Sequence, residues 1–320
     1  MTAAIADRLR DPDATVRRLA VIDLPYSDED EIVPLLLPCL ADTDALVRTE
    51  AVKALEGYEE PEVLAAMVPM LLDEDPGVRQ AAGDVLSELK LPESAAALLP
   101  LIAPHQPAEA RAQGFRALRA LRYPAAFAPA LASLRDPSAA VRAEAVGVLG
   151  YLKDPAAIGE LAEVAANDPT AEVRRIAVGA LGYASSVSVL PALTRALGDA
   201  HWPVRDEAAQ TIGKLRLAPA IPDLVRAMDD EMWQVRLKAA RALGQLKAEA
   251  GLPPLVAALQ HPISNLRKEA AIALGEISDT RAIAPLEAAL NDADPDVRKL
   301  ARLALTAIGL AQGARTGGAA

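Results

Sequence analysis

The hydrophobic and polar positions of this chain repeat with a period of 31 or 32 residues. Each repeat contains an arginine that follows Val or Leu and precedes Ala by three positions and Leu or Ile by seven. Only Ala110 and Gly114 depart from these apolar columns. The ten arginines are Arg17, Arg48, Arg79, Arg111, Arg142, Arg174, Arg205, Arg236, Arg267 and Arg298. This period is typical of stacked helical pairs, in which neighbouring units share one continuous core.

The segment 187–215 predicts two helices per repeat. Leu190, Leu193 and Leu197 form the stripe of a first helix, which begins near Pro191 because a proline needs no partner for an amide hydrogen in the first turn. The second helix follows Asp199 and ends near a glycine that serves either as a left-handed closing residue or as a point of tight helix contact. An aspartate directly before proline, as at 136–137, also predicts a helix start, because the carboxylate can accept free amide hydrogens.

On a helical wheel at about 100° per residue, the apolar columns of the second helix share one buried arc, with the arginine at its edge. A partly buried guanidinium must be paired, and the equally regular acid is the aspartate six residues earlier. We therefore predict a structural Asp and Arg ladder through the stack. Its predicted members include Asp136, Arg142, Asp168, Arg174, Asp199, Arg205, Asp230 and Arg236. The opposite arc, at one, two, five and nine residues after the arginine, varies between repeats and is where function is expected.

The stretch DPSAAVRAEAVGVLG at 136–150 resembles HEAT repeats of the short bacterial type shared with phycobilin lyase subunits. The resemblance spans residues 1 to about 310. It implies an all-α fold, a right-handed α-solenoid of about ten two-helix repeats whose second helices line a concave binding surface. We expect one domain over 1–310, with a truncated first repeat and an atypical fourth repeat near 93–122, followed by a disordered tail at 311–320.

Composition and charge narrow the function. Apolar residues make up 52% of the chain and aromatic residues 3%, so Ala, Leu and Val must form the interior. The net charge of −11 comes from the first 100 residues, which hold 21 acidic and 8 basic side chains. This acidity argues against nucleic acid as a partner, and it is either a solubilising face or a docking patch for a basic partner. No stretch of the sequence predicts a membrane span or a secretory signal, so a cytoplasmic location is expected.

The sequence predicts no catalytic site, metal or cofactor. His105, His201 and His261 lie in different repeats, and none forms the His-Glu pair of HEAT-like deoxyhypusine hydroxylases. Phosphate loops, nucleophile elbows and paired-cysteine metal motifs are absent from the sequence. The single cysteine, Cys39, lies in an apolar stretch and is expected to be a buried, inert thiol.

Six residues are predicted to contact a partner. Arg116 and Arg119 belong to a segment, 110–135, that contains no acid. Tyr151 and Tyr183 occupy the ninth position after their arginines, on the variable arc. Trp202 and Trp233 each stand three residues before an arginine and either pack over the turn or form a paired aromatic anchor.

Two functions are compatible with these features. The leading prediction is a non-enzymatic scaffold that binds a protein or peptide on its concave surface. The alternative, implied by the resemblance, is a phycobilin-lyase-like protein that handles a tetrapyrrole, with Arg116 and Arg119 facing its propionates and Tyr151 in the wall of its groove.

Overall fold

The structure is a computed structural model that describes residues 5–27, 31–184 and 187–317. Every regular element in those ranges is an α-helix or a short 3₁₀ helix. The chain divides into two compact units, residues 1–153 and 154–320. The predicted all-α class and the series of two-helix repeats are therefore confirmed for the described residues. Whether 1–310 behaves as a single domain stays a prediction.

The described residues of the first unit form five helical pairs, in which an odd-numbered helix is followed by an even-numbered one. The helices are α1 (Ile5–Arg8), α2 (Ala14–Asp23), α3 (Val33–Leu36), α4 (Ala45–Ala54), α5 (Pro61–Met67), α6 (Pro76–Ser87), α7 (Ala95–Leu98), α8 (Ala108–Leu121), α9 (Phe127–Ser133) and α10 (Ala139–Leu152). In the second, third and fourth pairs a proline inside the first helix converts its end into a 3₁₀ segment, because proline removes a helical hydrogen bond. These segments are Leu37–Ala41, Val68–Leu72 and Leu99–Ile102.

In the second unit, residues 154–184 and 187–317 likewise form five pairs. They are α11 (Ile158–Asn167), α12 (Ala171–Ala180), α13 (Leu190–Ala196), α14 (Trp202–Leu215), α15 (Ile221–Ala227), α16 (Trp233–Gln245), α17 (Leu252–Ala258), α18 (Ser264–Ile277), α19 (Ile283–Ala289) and α20 (Pro295–Gly317). The last helix continues past residue 310, so the tail predicted at 311–320 begins inside it.

The apolar columns form the core of each unit. Val141, Ala145 and Leu149 are fully buried in α10, and the equivalent residues of the other second helices are also buried, except Val16 and Leu305 in the first and last layers, which are partly exposed. Alanine at the centre of each set lets neighbouring second helices approach closely, and consecutive even helices pack against one another within each unit. The repeat period therefore specifies a continuous small-residue core in each unit.

The glycines near the ends of the second helices provide close contact and do not close the helices. A Cβ built on Gly244 would lie 2.8 Å from the Cα of Ala273, a backbone atom of the next second helix. The left-handed residue comes three positions later: Lys247 has a φ of 49°, Arg216 a φ of 52° and Ser278 a φ of 56°. Of the two roles considered from the sequence, tight packing is the one observed.

The repeated arginine and aspartate connect one layer to the next. In the second unit, Arg205 Nε and Nη2 donate to the two carboxylate oxygens of Asp230, at 2.6 and 2.8 Å, across 25 residues of sequence. Arg205 Nη1 donates to the backbone carbonyl of Asp199, six residues earlier in its own layer, at 2.9 Å. Each guanidinium thus hydrogen-bonds to a backbone carbonyl in the turn of its own repeat. It also forms a two-point ion pair with the aspartate in the turn of the next repeat. The same two-point pairs join Arg17 to Asp42, Arg48 to Asp73, Arg174 to Asp199 and Arg267 to Asp292.

The ladder carboxylates also shape the turns. Asp136 Oδ1 accepts the amide hydrogen of Ser138, which is the N-cap of α10, at 2.8 Å. The aspartate therefore stands two residues outside the helix and does not cap it, a difference from the sequence expectation. Burial raises the pKa of Asp230, but hydrogen bonds from Arg205 and the Met232 amide outweigh it and hold that pKa below its usual range. Arg111 donates to Asp136 at 2.6 Å, and Arg142 Nη1 donates to the Asp136 carbonyl at 2.8 Å.

Two layers have histidine in place of the ladder aspartate, and they differ in what the arginine of the preceding layer contacts. Opposite His105, Arg79 Nε donates to Glu109 at 3.0 Å. Opposite His261, Arg236 Nε is buried and makes no hydrogen bond to any described residue. His261 Nδ1 instead accepts the amide hydrogen of Ile263 at 3.1 Å, as the aspartates do in other turns.

Candidate functional site

We call the positions one, two, five and nine residues after the repeated arginine the second-helix stripe. Its charged residues pair across layers: a glutamate at the second position of one repeat meets an arginine at the first or fifth position of the repeat before. These pairs are Arg18 with Glu50 at 3.2 Å, Arg116 with Glu144 at 3.1 Å, Arg175 with Glu207 at 3.6 Å and Arg241 with Glu269 at 2.6 Å. Part of the stripe is therefore a second, more exposed set of interlayer contacts.

Arg116, Arg119, Glu144 and Tyr151 form what we call the arginine–tyrosine cluster in the first unit. Arg116 Nε donates to Glu144 Oε1 and Arg119 Nη1 donates to Glu144 Oε2, both at 3.1 Å. The Arg119 guanidinium lies over the Tyr151 ring, 5.7 Å from its centre. Two guanidiniums thus share one carboxylate beside an aromatic face, so the cluster retains one positive charge.

Local sequence explains this convergence. Arg116 and Arg119 are three residues apart on α8, so they share one face of that helix, and Glu144 and Tyr151 are two turns apart on α10. Gly147 lies between the latter two, and a Cβ there would lie 3.0 Å from Arg119 Cδ. The missing side chain gives Arg119 room to lie against α10, and Tyr151 remains 48% exposed.

Tyr183 belongs to the second unit, and its hydroxyl already makes a hydrogen bond within the protein. Its hydroxyl donates to the backbone carbonyl of Asp154 at 2.9 Å, which ties the end of α12 to the turn before α11. Burial raises the pKa of Tyr183, and the Asp154 carboxylate adds to this effect.

Trp202 and Trp233 are the first residues of α14 and α16, and both are half-buried. Their position at the start of the second helices is the one predicted. The choice between packing over the turn and anchoring a partner stays open.

Glu144 and Gly147 are not among the site residues predicted from the sequence. The signal for Glu144 was present, because Glu50, Glu144, Glu207 and Glu269 occupy the same column. A cation at the first or fifth position of the preceding repeat would have predicted their pairing. The segment 110–135 contains no acid, yet the next repeat supplies one, so the positive charge there is smaller than the sequence indicates.

The remaining candidate chemistry can be located within the described residues. No group of three or more His, Cys, Asp or Glu side chains in those ranges is placed to hold a metal ion. Cys39 is buried, its Sγ donates to the Leu35 carbonyl at 3.3 Å, and burial raises the pKa of its thiol. Over the described part of the chain, none of the helices has the length and apolar character needed to cross a bilayer.

Comparisons with known proteins follow the same repeats. A family model described as HEAT repeats matches residues 2–87, 50–118, 95–181, 158–236 and 221–306. A comparison with curated proteins finds no match to this chain.

Solved structures share the architecture at low sequence identity. An engineered protein aligns at 22% identity with a TM-score of 0.53, covering 95% of this chain and 98% of its own. YibA of E. coli aligns at 19% identity with a TM-score of 0.55, covering 93% and 98%. Kap95p, from a structure with RanGDP, aligns at 15% identity with a TM-score of 0.64, covering 96% of this chain and 50% of its own. At these identities the likeness concerns the fold.

Proposed function

Because the chain belongs to the HEAT-repeat family, we propose that it is a non-enzymatic scaffold that binds a partner protein or peptide on its second-helix stripe. The supporting observation is that different side chains of each repeat have different roles. The core columns and the Arg–Asp ladder recur with little variation, whereas the stripe differs in sequence from layer to layer even though some of its charged residues pair across layers. Solenoid proteins commonly bind partners through such variable positions. Kap95p, which shares this architecture, binds RanGDP.

The arginine–tyrosine cluster is the centre of the proposed site in the first unit. Its geometry suits an acidic side chain of the partner, because two guanidiniums share a single carboxylate and keep donors facing solvent. Tyr151 adds a large, half-exposed ring beside them. Arg and Tyr are enriched among the residues that carry most of the energy of protein interfaces. Tyr183, Trp202 and Trp233 are proposed as secondary contacts in the second unit.

The test is substitution of Arg116 by glutamate, with Arg241→Glu as the matched control. Both arginines occupy the fifth stripe position and pair with a glutamate, and they are 41% and 47% exposed. The arginines are exposed, but Glu144 and Glu269 are only 14% and 8% exposed, so each variant leaves a poorly solvated carboxylate facing a second one and should lose some stability. Circular dichroism of both variants must therefore show wild-type helix content before the capture experiment. Affinity capture from native lysate should identify a partner that wild type and Arg241→Glu retain and Arg116→Glu loses. Equal retention by all three proteins would remove the cluster from the proposal.

The tetrapyrrole alternative is supported by the same cluster, because paired guanidiniums can hold propionate groups and Tyr151 can lie against a ring system. A bilin or haem titration separates the two functions. The scaffold proposal expects no shift of the absorbance spectrum. A shift that Arg119→Gln abolishes would replace the scaffold proposal with the alternative.

A further inference from the structure

A groove of about 770 Å³ lies on the first unit, and among its lining residues only Gly57 belongs to the second-helix stripe. Its lining comes from the first helices α5 and α7 and from the loops that precede them, with no lining residue from a second helix. The groove lies between the third repeat and the fourth, and the fourth is the repeat that the sequence predicts to be atypical. In this layer a single Arg79–Glu109 contact takes the place of the two-point ladder pair.

The wall of the groove is held in place by hydrogen bonds to one carboxylate. Glu59 accepts hydrogen bonds from the Lys90 and Leu91 amides at 2.7 and 3.0 Å, and from the Ser94 hydroxyl at 2.6 Å. These three bonds fix the loop that precedes α7. The groove therefore exists before any ligand arrives, and a binding partner would not have to order this loop.

The floor of the groove is apolar, and one of its leucines is exposed. Leu64 is buried beneath it, alanines of α5 and α7 line it, and Leu91 projects from the fixed loop with 52% of its surface exposed. A leucine held at the edge of an apolar groove offers a contact for an apolar side chain of a partner, which would remove both from water.

The rim of the groove is acidic. Glu60 and Glu93 are exposed at its edge, and Glu59 adds a third carboxylate against the single cation of Lys90. The surrounding segment, residues 56–93, contains ten acidic and two basic residues, a net charge of −8. An apolar floor within a negative field selects a ligand with apolar anchors and positive flanks, and it repels acidic peptides and phosphate backbones.

We propose that this groove docks a basic amphipathic segment of a partner protein. The shape fits such a segment, since the seven residues of α5 span about 10 Å, which matches roughly two turns of a bound helix. Leucine-type anchors at positions i, i+3 and i+4 would enter beside Leu91, and lysines or arginines on the flanks would face Glu60 and Glu93. The occupant is distinct from the acidic side chain proposed for the arginine–tyrosine cluster, so the two surfaces can act together.

The experiment uses the full chain and a fluorescein-labelled 14-residue peptide with leucines on one helical face and lysines elsewhere. Fluorescence anisotropy should show saturable binding that weakens as NaCl rises from 50 to 300 mM. The double variant Glu60→Lys/Glu93→Lys should weaken binding about tenfold or more. Leu91→Ser should weaken it about tenfold through lost apolar contact. Circular dichroism should show unchanged helix content for both, because all three altered side chains are exposed.

Matched controls make the result specific to the groove. Leu72→Ser removes a leucine that is 46% exposed on the same unit but outside the lining, and it should change affinity less than twofold. Arg116→Glu, which tests the scaffold site, should also leave the peptide affinity within twofold. The proposal is overturned by any of three outcomes: no saturable binding, equal binding of a peptide with glutamate in place of lysine, or equal weakening by Leu72→Ser or Arg116→Glu.

Discussion

Completing the ladder at His261 is expected to stabilise the second unit. Within the described residues, the layer after Arg236 has His261 where other layers have the paired aspartate, and His261→Asp puts a carboxylate there. The template is the neighbouring pair, in which Arg205 holds both oxygens of Asp230 at 2.6 and 2.8 Å with side chains only 11% and 10% exposed. The new carboxylate can also accept the Ile263 amide hydrogen, as His261 Nδ1 does now.

The magnitude follows from the present state of Arg236. A buried donor without a partner costs about 1–3 kcal/mol, and the buried Nε of Arg236 is such a donor. Burying a new carboxylate offsets part of the gain. We therefore expect the free energy of unfolding to rise by about 1–2 kcal/mol, which corresponds to roughly 3–6 °C in melting temperature for a unit of this size.

Thermal unfolding at pH 7, followed by circular dichroism, measures this change. His261→Asn is the control, because its side-chain oxygen can accept the Ile263 amide but carries no charge, and it should stay within about 0.5 kcal/mol of wild type. The gain should also disappear in an Arg236→Gln background, where the carboxylate has no guanidinium to meet. A His261→Asp protein no more stable than His261→Asn, or a gain that persists without Arg236, would refute the reasoning.

The same substitution removes a pH dependence. Burial lowers the pKa of His261, and the charges of Arg236 and Arg267 lower it further. The folded state therefore binds a proton less readily than the unfolded state. The stability from the neutral ring is present above its unfolded pKa of about 6.5 and is lost as pH falls toward the folded value. Wild type should lose stability relative to His261→Asp between pH 7 and 5, and equal slopes would contradict this account.

Three further predictions concern the ladder, the helix contacts and the thiol. Asp230→Asn should lower the free energy of unfolding by about 2–4 kcal/mol at pH 7. Urea titrations should show this difference shrinking as pH falls below about 4. The reason is that the pKa of Asp230 is lower in the folded state than in the unfolded state, so its charge adds stability only above the unfolded-state pKa. Gly244→Ala should destabilise by about 1–3 kcal/mol because its Cβ meets the Ala273 backbone, whereas Gly309→Ala, with open space around it, should be neutral or stabilising. Cys39 should react with a thiol reagent only on unfolding, as absorbance at neutral pH would report.

Each of these predictions has a clear contrary result. A pH-independent effect of Asp230→Asn would mean that its charge contributes nothing to the pair. Equal melting temperatures for the two glycine variants would mean that the second helices separate to admit a methyl group. Rapid labelling of Cys39 under native conditions would show that the 3₁₀ segment Leu37–Ala41 opens locally.

The sequence predicted the layers better than it predicted their contacts. The columns of Val, Ala and Leu identified the buried face of each second helix, since the helical period of 3.6 residues relates positions within one element. The sequence pattern also placed Tyr151 on the second-helix stripe, away from the buried face, and this residue is exposed. The partner of Arg116 was missed because Glu144 lies on the next second helix, 28 residues away, and only packing brings the two together.

What the sequence by itself determined is the repeated helical pair, its buried columns and the need for each arginine to find an acid. Only the tertiary structure decided which acid. In a chain with a period of 31 residues, the aspartate 6 residues before an arginine and the aspartate 25 residues after it belong to the same column, so the sequence pattern cannot separate a contact within a layer from a contact between layers. Packing resolves this: the guanidinium reaches its own turn only at the backbone carbonyl, and the next layer supplies the carboxylate.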